Sequence, residues 1–196
     1  MMASVVVLIV GIPGAGKTTL IDRAARPSDW TVLDLDRFRR RLRPRLRRIP
    51  VFYPFYVLAI IVAIARDRHV VVEARGTYGW LRRLVTVCAR FRGREAVIVL
   101  LDASPADAIA GEVSRGRVAP SGVMRVNTAR WSRLLDAARS GKLATEGWSQ
   151  VLVLDRAQAS KVDDLGELVS GRSAFGRNSD EEGEPDGQAS ADASDP

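Results

Sequence analysis

Gly11, Gly16, Lys17 and Thr18 in "GIPGAGKT" fill the four fixed positions of G-x-x-x-x-G-K-[ST], a spacing that wraps a phosphate. Successive backbone N–H groups turn toward an anion only where no Cβ intrudes, and Gly11, Gly14 and Gly16 supply that freedom. Lys17 adds a point charge for the β- and γ-phosphates, and Thr18 offers a hydroxyl to Mg²⁺. A helix beginning at this point directs its positive end at the bound anion. The stretch Gly11, Pro13, Gly14, Ala15, Gly16, Lys17, Thr18 and Thr19 is therefore the expected nucleotide-binding loop, with ATP and Mg²⁺ as the implied ligands.

A bound nucleotide needs further groups before it can react, and "WTVLDLD" and "HVVVE" bring carboxylates to the ends of two apolar runs. Asp36 stands where a general base could take a proton from a hydroxyl acceptor, with a helix N-cap as its competing structural role. Asp34 could orient Asp36 or reach Mg²⁺ through water, and Glu73 could hold the metal's water shell. Arg75, two residues after Glu73, is a candidate substrate contact. Arg115, Arg117 and Arg125 surround the Pro- and Gly-broken segment "VAPSG", where a lid could close over a γ-phosphoryl group. His69, Cys88, Trp80, Trp131 and Trp148 read as structural residues, the tryptophans as core.

Positioning these groups falls to alternating strands and helices. "SVVVLIV", "WTVLDLD", "RHVVVEARG", "EAVIVLLDA" and "WSQVLVLD" are β-branched or apolar runs of strand length. Between them lie helical patterns: "KTTLIDRAAR", "GWLRRLVTVCARF", "SPADAIAGEVSRGR" capped by Ser104, and "VMRVNTARWSRLLDAARSG". The apolar run "VFYPFYVLAIIVAIA", interrupted by Pro54, is too short for a membrane span and reads as a buried helix from about Phe55 to Ala65. That order specifies a three-layer α/β fold, a five-stranded parallel sheet with helices on both faces and a ligand crevice at the carboxyl ends of the strands.

The 196 residues, 46% hydrophobic, suit one domain, expected over residues 1–175. Residues 176–196 are expected to be a disordered acidic tail, since "NSDEEGEPDGQASADASDP" holds seven acids, no base and no large apolar side chain. Without those acids, 30 basic residues face 16 acidic ones, about +14 over residues 1–177. Eight arginines fall between Arg37 and Arg48. Such charge favours a polyanionic partner, nucleic acid first; membrane contact is the lesser expectation, and the oligomeric state is open. The single Cys88 excludes an internal disulfide, and a cytoplasmic location is the default expectation.

Taken together, "GIPGAGKTTL", "LDLDRFRRRL", "VVVEARGTYGWLRR" and "SRGRVAPSGVMRV" resemble the P-loop kinases related to polynucleotide kinase, a broad AAA-domain group neighbouring the zeta toxins, over residues 4 to 156. The resemblance implies Asp36 as general base, Arg39 as the residue positioning the acceptor, and Arg115 as the lid arginine. "VLDLDRFR" is also similar to adenylylsulfate kinases, where an Asp-x-Asp element precedes an arginine that meets a nucleotide substrate. The chain departs from the polynucleotide kinase pattern in having Arg37 after Asp36, and Glu73, Ala74 and Arg75 where Asp-Thr-Asn is usual.

The reading is an ATP- and Mg²⁺-dependent kinase that transfers the γ-phosphoryl group to a hydroxyl, with a polynucleotide 5′-OH and small molecules or nucleotides as acceptor classes. Lys17, Asp36, Arg115 and Arg117 would be catalytic, Arg39 and Arg75 substrate-binding, and Thr18, Asp34 and Glu73 metal-associated. The rival class is a nucleotide-dependent binding switch whose slow hydrolysis resets it.

Overall fold

A computed structural model describes residues 4–26, 28–41, 52–74, 78–104, 108 and 121–171. Five strands form one sheet in the order β2-β3-β1-β4-β5: β1 (Val5–Gly11), β2 (Thr31–Asp34), β3 (His69–Ala74), β4 (Glu95–Asp102) and β5 (Gln150–Asp155). Every neighbouring pair is parallel. β1 is central and buried along its whole length, which is why it reads as an unbroken apolar run rather than an alternating one.

Seven helices whose bounds lie among the described residues connect and cover these strands. α1 (Lys17–Ala24) follows β1, α2 (Leu35–Arg41) and α3 (Phe52–Arg66) follow β2, and α4 (Gly79–Phe91) follows β3. α5 (Ser121–Arg139) and a 3-10 turn at Lys142–Glu146 precede β5, and α6 (Arg156–Ser160) and α7 (Leu165–Val169) end the described chain. The β1-to-β2 connection runs one way across the sheet and the later crossovers run the other. Right-handed crossovers then place α1 on one face and α3, α4 and α5 on the opposite face. The Arg23 guanidinium on α1 donates to the carbonyls of Val162, at 2.9 Å, and Ala159, tying α6 and the chain after it to α1.

The parallel sheet with helices on both faces agrees with the sequence, and three local readings need correction. β2 ends at Asp34 instead of running on to Asp36, because Asp34 caps the helix that starts at Leu35. α3 spans Phe52–Arg66, with Pro54 tolerated in its first turn. Only one side of it, Tyr56, Ile60, Ala63 and Ile64, is buried, while Phe55, Leu58, Ile61 and Val62 are exposed. A helix laid on one face of a sheet has one side to bury, and nothing among the described residues covers the other. Trp131 and Trp148 are core residues, but Trp80 is exposed and meets Tyr53 edge-on at 5.7 Å. The segment holding Arg115 and Arg117, most of the helix expected from Ser104, Arg75 and the tail expected from residue 176 all lie outside the described residues.

Candidate phosphate-binding and phosphoryl-transfer site

Parallel strands deliver their carboxyl ends to one sheet edge, so Gly11, Asp34, Glu73 and Asp102 arrive there together. The loop leaving β1 needs glycine at two positions with positive φ, Gly14 at 84° and Gly16 at 90°. A Cβ on Gly14 would also run into the Ala108 carbonyl, so this position is constrained by conformation and by space. Gly16 caps α1, leaving the first-turn amides without a side-chain partner. Those amides and the loop backbone make an anion cradle.

Lys17 is buried at the start of α1, and its ammonium donates to the carbonyls of Gly11 at 2.9 Å and Ile12 at 3.0 Å. The charge therefore sits over the loop. One residue on, the Thr18 hydroxyl donates to Glu73, with both carboxylate oxygens at 3.4 Å. Burial pushes the Glu73 carboxyl above its ordinary range, Lys17 opposes that shift, and Asp34 and Asp36 reinforce it. A half-buried carboxylate and a hydroxyl are hard oxygen donors that fit Mg²⁺, which takes few protein ligands and fills its remaining positions with water and phosphate. Among the described residues no group of three or more histidines, cysteines or acids could hold a metal ion.

Asp34 pairs in register with Glu73 on the neighbouring strand and is almost fully buried. Its Oδ1 accepts from the amides of Asp36 at 2.7 Å and Arg37 at 3.1 Å, so Asp34, not Asp36, is the N-cap of α2. Asp36 stands in the first turn of that helix with an exposed side chain, close enough for its charge to act on Glu73. Arg39 is exposed on the same short helix. Lys17, Thr18, Asp34, Asp36 and Glu73 are thus assembled at one edge.

Two positioning residues were not singled out from the sequence. Arg37 pairs with Asp34, Nε to Oδ2 at 3.4 Å, and with Asp22 on α1, linking the phosphate-loop helix to the end of β2. Tyr56 reaches from α3 to the same place, its hydroxyl lying 2.9 Å from the Leu33 carbonyl and 3.1 Å from the Glu73 carbonyl. Burial, with the nearby Asp34 and Glu73 charges, pushes this phenol far above its usual range, so it is a neutral donor. The signal in the sequence was a tyrosine inside an apolar helix, whose hydroxyl must find a partner if the ring is buried.

A buried central strand, a glycine loop with its lysine over the backbone, and Thr18 against the Glu73 of the adjacent strand define a P-loop α/β protein. The chain belongs to the AAA-domain family, whose model matches residues 6–140. None of the curated proteins matches it. Among solved structures, it is similar to one of the PezAT chromosomal toxin-antitoxin system of Streptococcus pneumoniae, at 15% identity and TM-score 0.60, covering 86% of this chain and 76% of that one. A gluconokinase from Sinorhizobium meliloti 1021 shares 18% identity at TM-score 0.59, over 88% of this chain and 99% of its own. The tunicamycin resistance protein of Deinococcus radiodurans shares 16% identity at TM-score 0.52, over 88% and 96%. At these identities the likeness is one of fold.

Proposed function

We propose that this protein is an ATP-dependent kinase transferring the γ-phosphoryl group to a hydroxyl acceptor. The observation that carries the reading is the convergence of Lys17, Thr18 and Glu73 with the Asp34-capped first turn that bears Asp36. A gluconokinase of the same fold supports a small hydroxyl compound as acceptor, beside a polynucleotide 5′-OH favoured by the basic charge.

ATP would bring the transferable phosphoryl group, and Mg²⁺, held by Thr18 with Glu73 behind it, would offset the charge that develops on that group. The loop amides from Gly14 to Thr18 bind the phosphates, and Lys17 supplies a cation beside them. Asp34 fixes the first turn of α2 and thereby Asp36, which accepts the acceptor's hydroxyl proton as that oxygen bonds the γ-phosphorus and the bond from that phosphorus to the bridging oxygen breaks, releasing ADP. Arg39 and Arg75 hold the acceptor, and Arg115 with Arg117 closes the site.

Asp36→Asn tests the assignment, because it removes the proton acceptor and leaves the loop intact. Turnover against a panel of 5′-OH oligonucleotides, nucleosides and small hydroxyl compounds should fall by ~10²–10⁴-fold, with ATP binding by calorimetry unchanged. Full activity in this variant would remove Asp36 as the base. Labelled phosphate reaching only water in the wild type would favour the nucleotide-dependent switch.

A further inference from the structure

Among the described residues, every large apolar side chain left exposed lies on α3, on α4 or at the entrance to α4: Phe55, Leu58, Ile61, Val62, Tyr78, Trp80, Val87 and Phe91. Phe55, Leu58 and Val62 recur at three- and four-residue spacing along α3, and Trp80, Val87 and Phe91 at seven- and four-residue spacing along α4, so each set is a stripe on one side of its helix. The two helices pack beside each other on the same face of the sheet, joined near their starts by Tyr53 against Trp80. Phe91 is 87% exposed. So many large apolar side chains on one face, uncovered among the described residues, call for a partner.

Charge identifies that partner. Neither helix carries a carboxylate, while Arg83 and Arg90 on α4, Arg66 at the end of α3 and Arg92 just beyond α4 are all exposed. A second copy docked through the same face would set these cations against one another across an isologous contact. A specific protein interface would need about one hydrogen bond per 100–200 Å². From Pro54 to Ala65, however, Tyr56 offers α3's one polar side-chain group, and its hydroxyl is spent on Leu33 and Glu73. An anionic bilayer asks for no hydrogen-bond pattern; it takes aromatic and aliphatic side chains into its interface and attracts arginines at headgroup level.

We propose that the α3–α4 face docks this protein on an anionic lipid surface. The inference is independent of the phosphoryl-transfer reading, since vesicle binding can be measured without nucleotide. The full chain should sediment with vesicles of equal phosphatidylglycerol and phosphatidylcholine and not with phosphatidylcholine alone, and added salt should weaken the binding. Phe91→Glu should weaken it ~10-fold or more, and Arg83→Gln about fivefold. Both positions are exposed, so both variants should keep the wild-type melting temperature. Failure to sediment with anionic vesicles would overturn the proposal, as would unchanged binding in Phe91→Glu. A dimer in sedimentation equilibrium that Phe91→Glu converts to monomer, with no vesicle binding, would assign the face to a second copy instead.

Discussion

Replacing Tyr56 with Phe removes one oxygen atom at the joint between two site-bearing strands. The ring would keep its place, packed against Phe38 at a centroid distance of 5.5 Å, so no cavity larger than the hydroxyl is created. What is lost is the donor 2.9 Å from the Leu33 carbonyl and 3.1 Å from the Glu73 carbonyl. One hydroxyl proton serves one carbonyl at a time, so the loss is a single neutral hydrogen bond plus the cost of a less satisfied buried acceptor, ~1–3 kcal/mol. In a chain of this size the melting temperature should fall ~2–4 °C for each kcal/mol. Leu33 and Glu73 flank the carboxylate end of β2 and β3, whereas the phosphate loop is not touched. Turnover should therefore drop by more than ATP affinity, read from circular-dichroism melts, calorimetry with ATP and initial rates on one acceptor. A variant with wild-type stability and wild-type rate would refute the idea that Tyr56 holds the two strand ends together. Equal losses in affinity and rate would place its effect in the loop instead.

Glu73→Gln should melt higher than wild type at neutral pH. The Glu73 carboxyl is raised above its unfolded value, so its stabilising contribution is complete below about pH 4.3 and is lost as pH rises through the folded value. The amide never ionises; the two melting curves should converge in acid, while phosphoryl transfer is lost in the variant. A Gln variant less stable than wild type at neutral pH would contradict the burial argument. Arg82→Ala acts with the opposite sign. Arg82 donates to both oxygens of Glu146, at 2.9 and 2.8 Å, and these bonds hold that carboxyl below its ordinary range. Their contribution is present above the unfolded pKa and lost as pH falls through the folded one, so the variant should lose ~1.5–3 kcal/mol near neutrality. Its acid limb should flatten, and urea titrations across pH would measure both effects.

The parallel sheet was legible because its strands are β-branched runs whose lengths and flanking helices leave few alternatives, and the phosphate loop because glycine spacing encodes backbone conformation directly. Asp34 and Asp36 were visible as a pair, but their division of labour was not. Which of two nearby carboxylates caps a helix depends on where the strand stops, a boundary that the pattern "VLDLD" leaves open by two residues. The exposed side of α3 was hidden for a related reason. A helix apolar on all sides reads as buried, and only its position as an outer layer on one face of the sheet shows that one side of it has no neighbour among the described residues. The roles of Tyr56 and of the Arg37–Asp22 pair escaped notice because these partners are backbone carbonyls and an aspartate brought close by the fold, at sequence separations that no local spacing rule spans.

The central claim is that this strand edge moves phosphate onto a hydroxyl, and the transfer of label from γ-labelled ATP with Mg²⁺ tests it most directly. Wild-type protein should place the label on one acceptor class from a panel of oligonucleotide 5′-hydroxyls, nucleosides and small hydroxyl compounds, with Lys17→Ala and Asp36→Asn leaving that product unlabelled. Tight ATP binding with label recovered only as inorganic phosphate, at rates the Asp36→Asn variant shares, would contradict it.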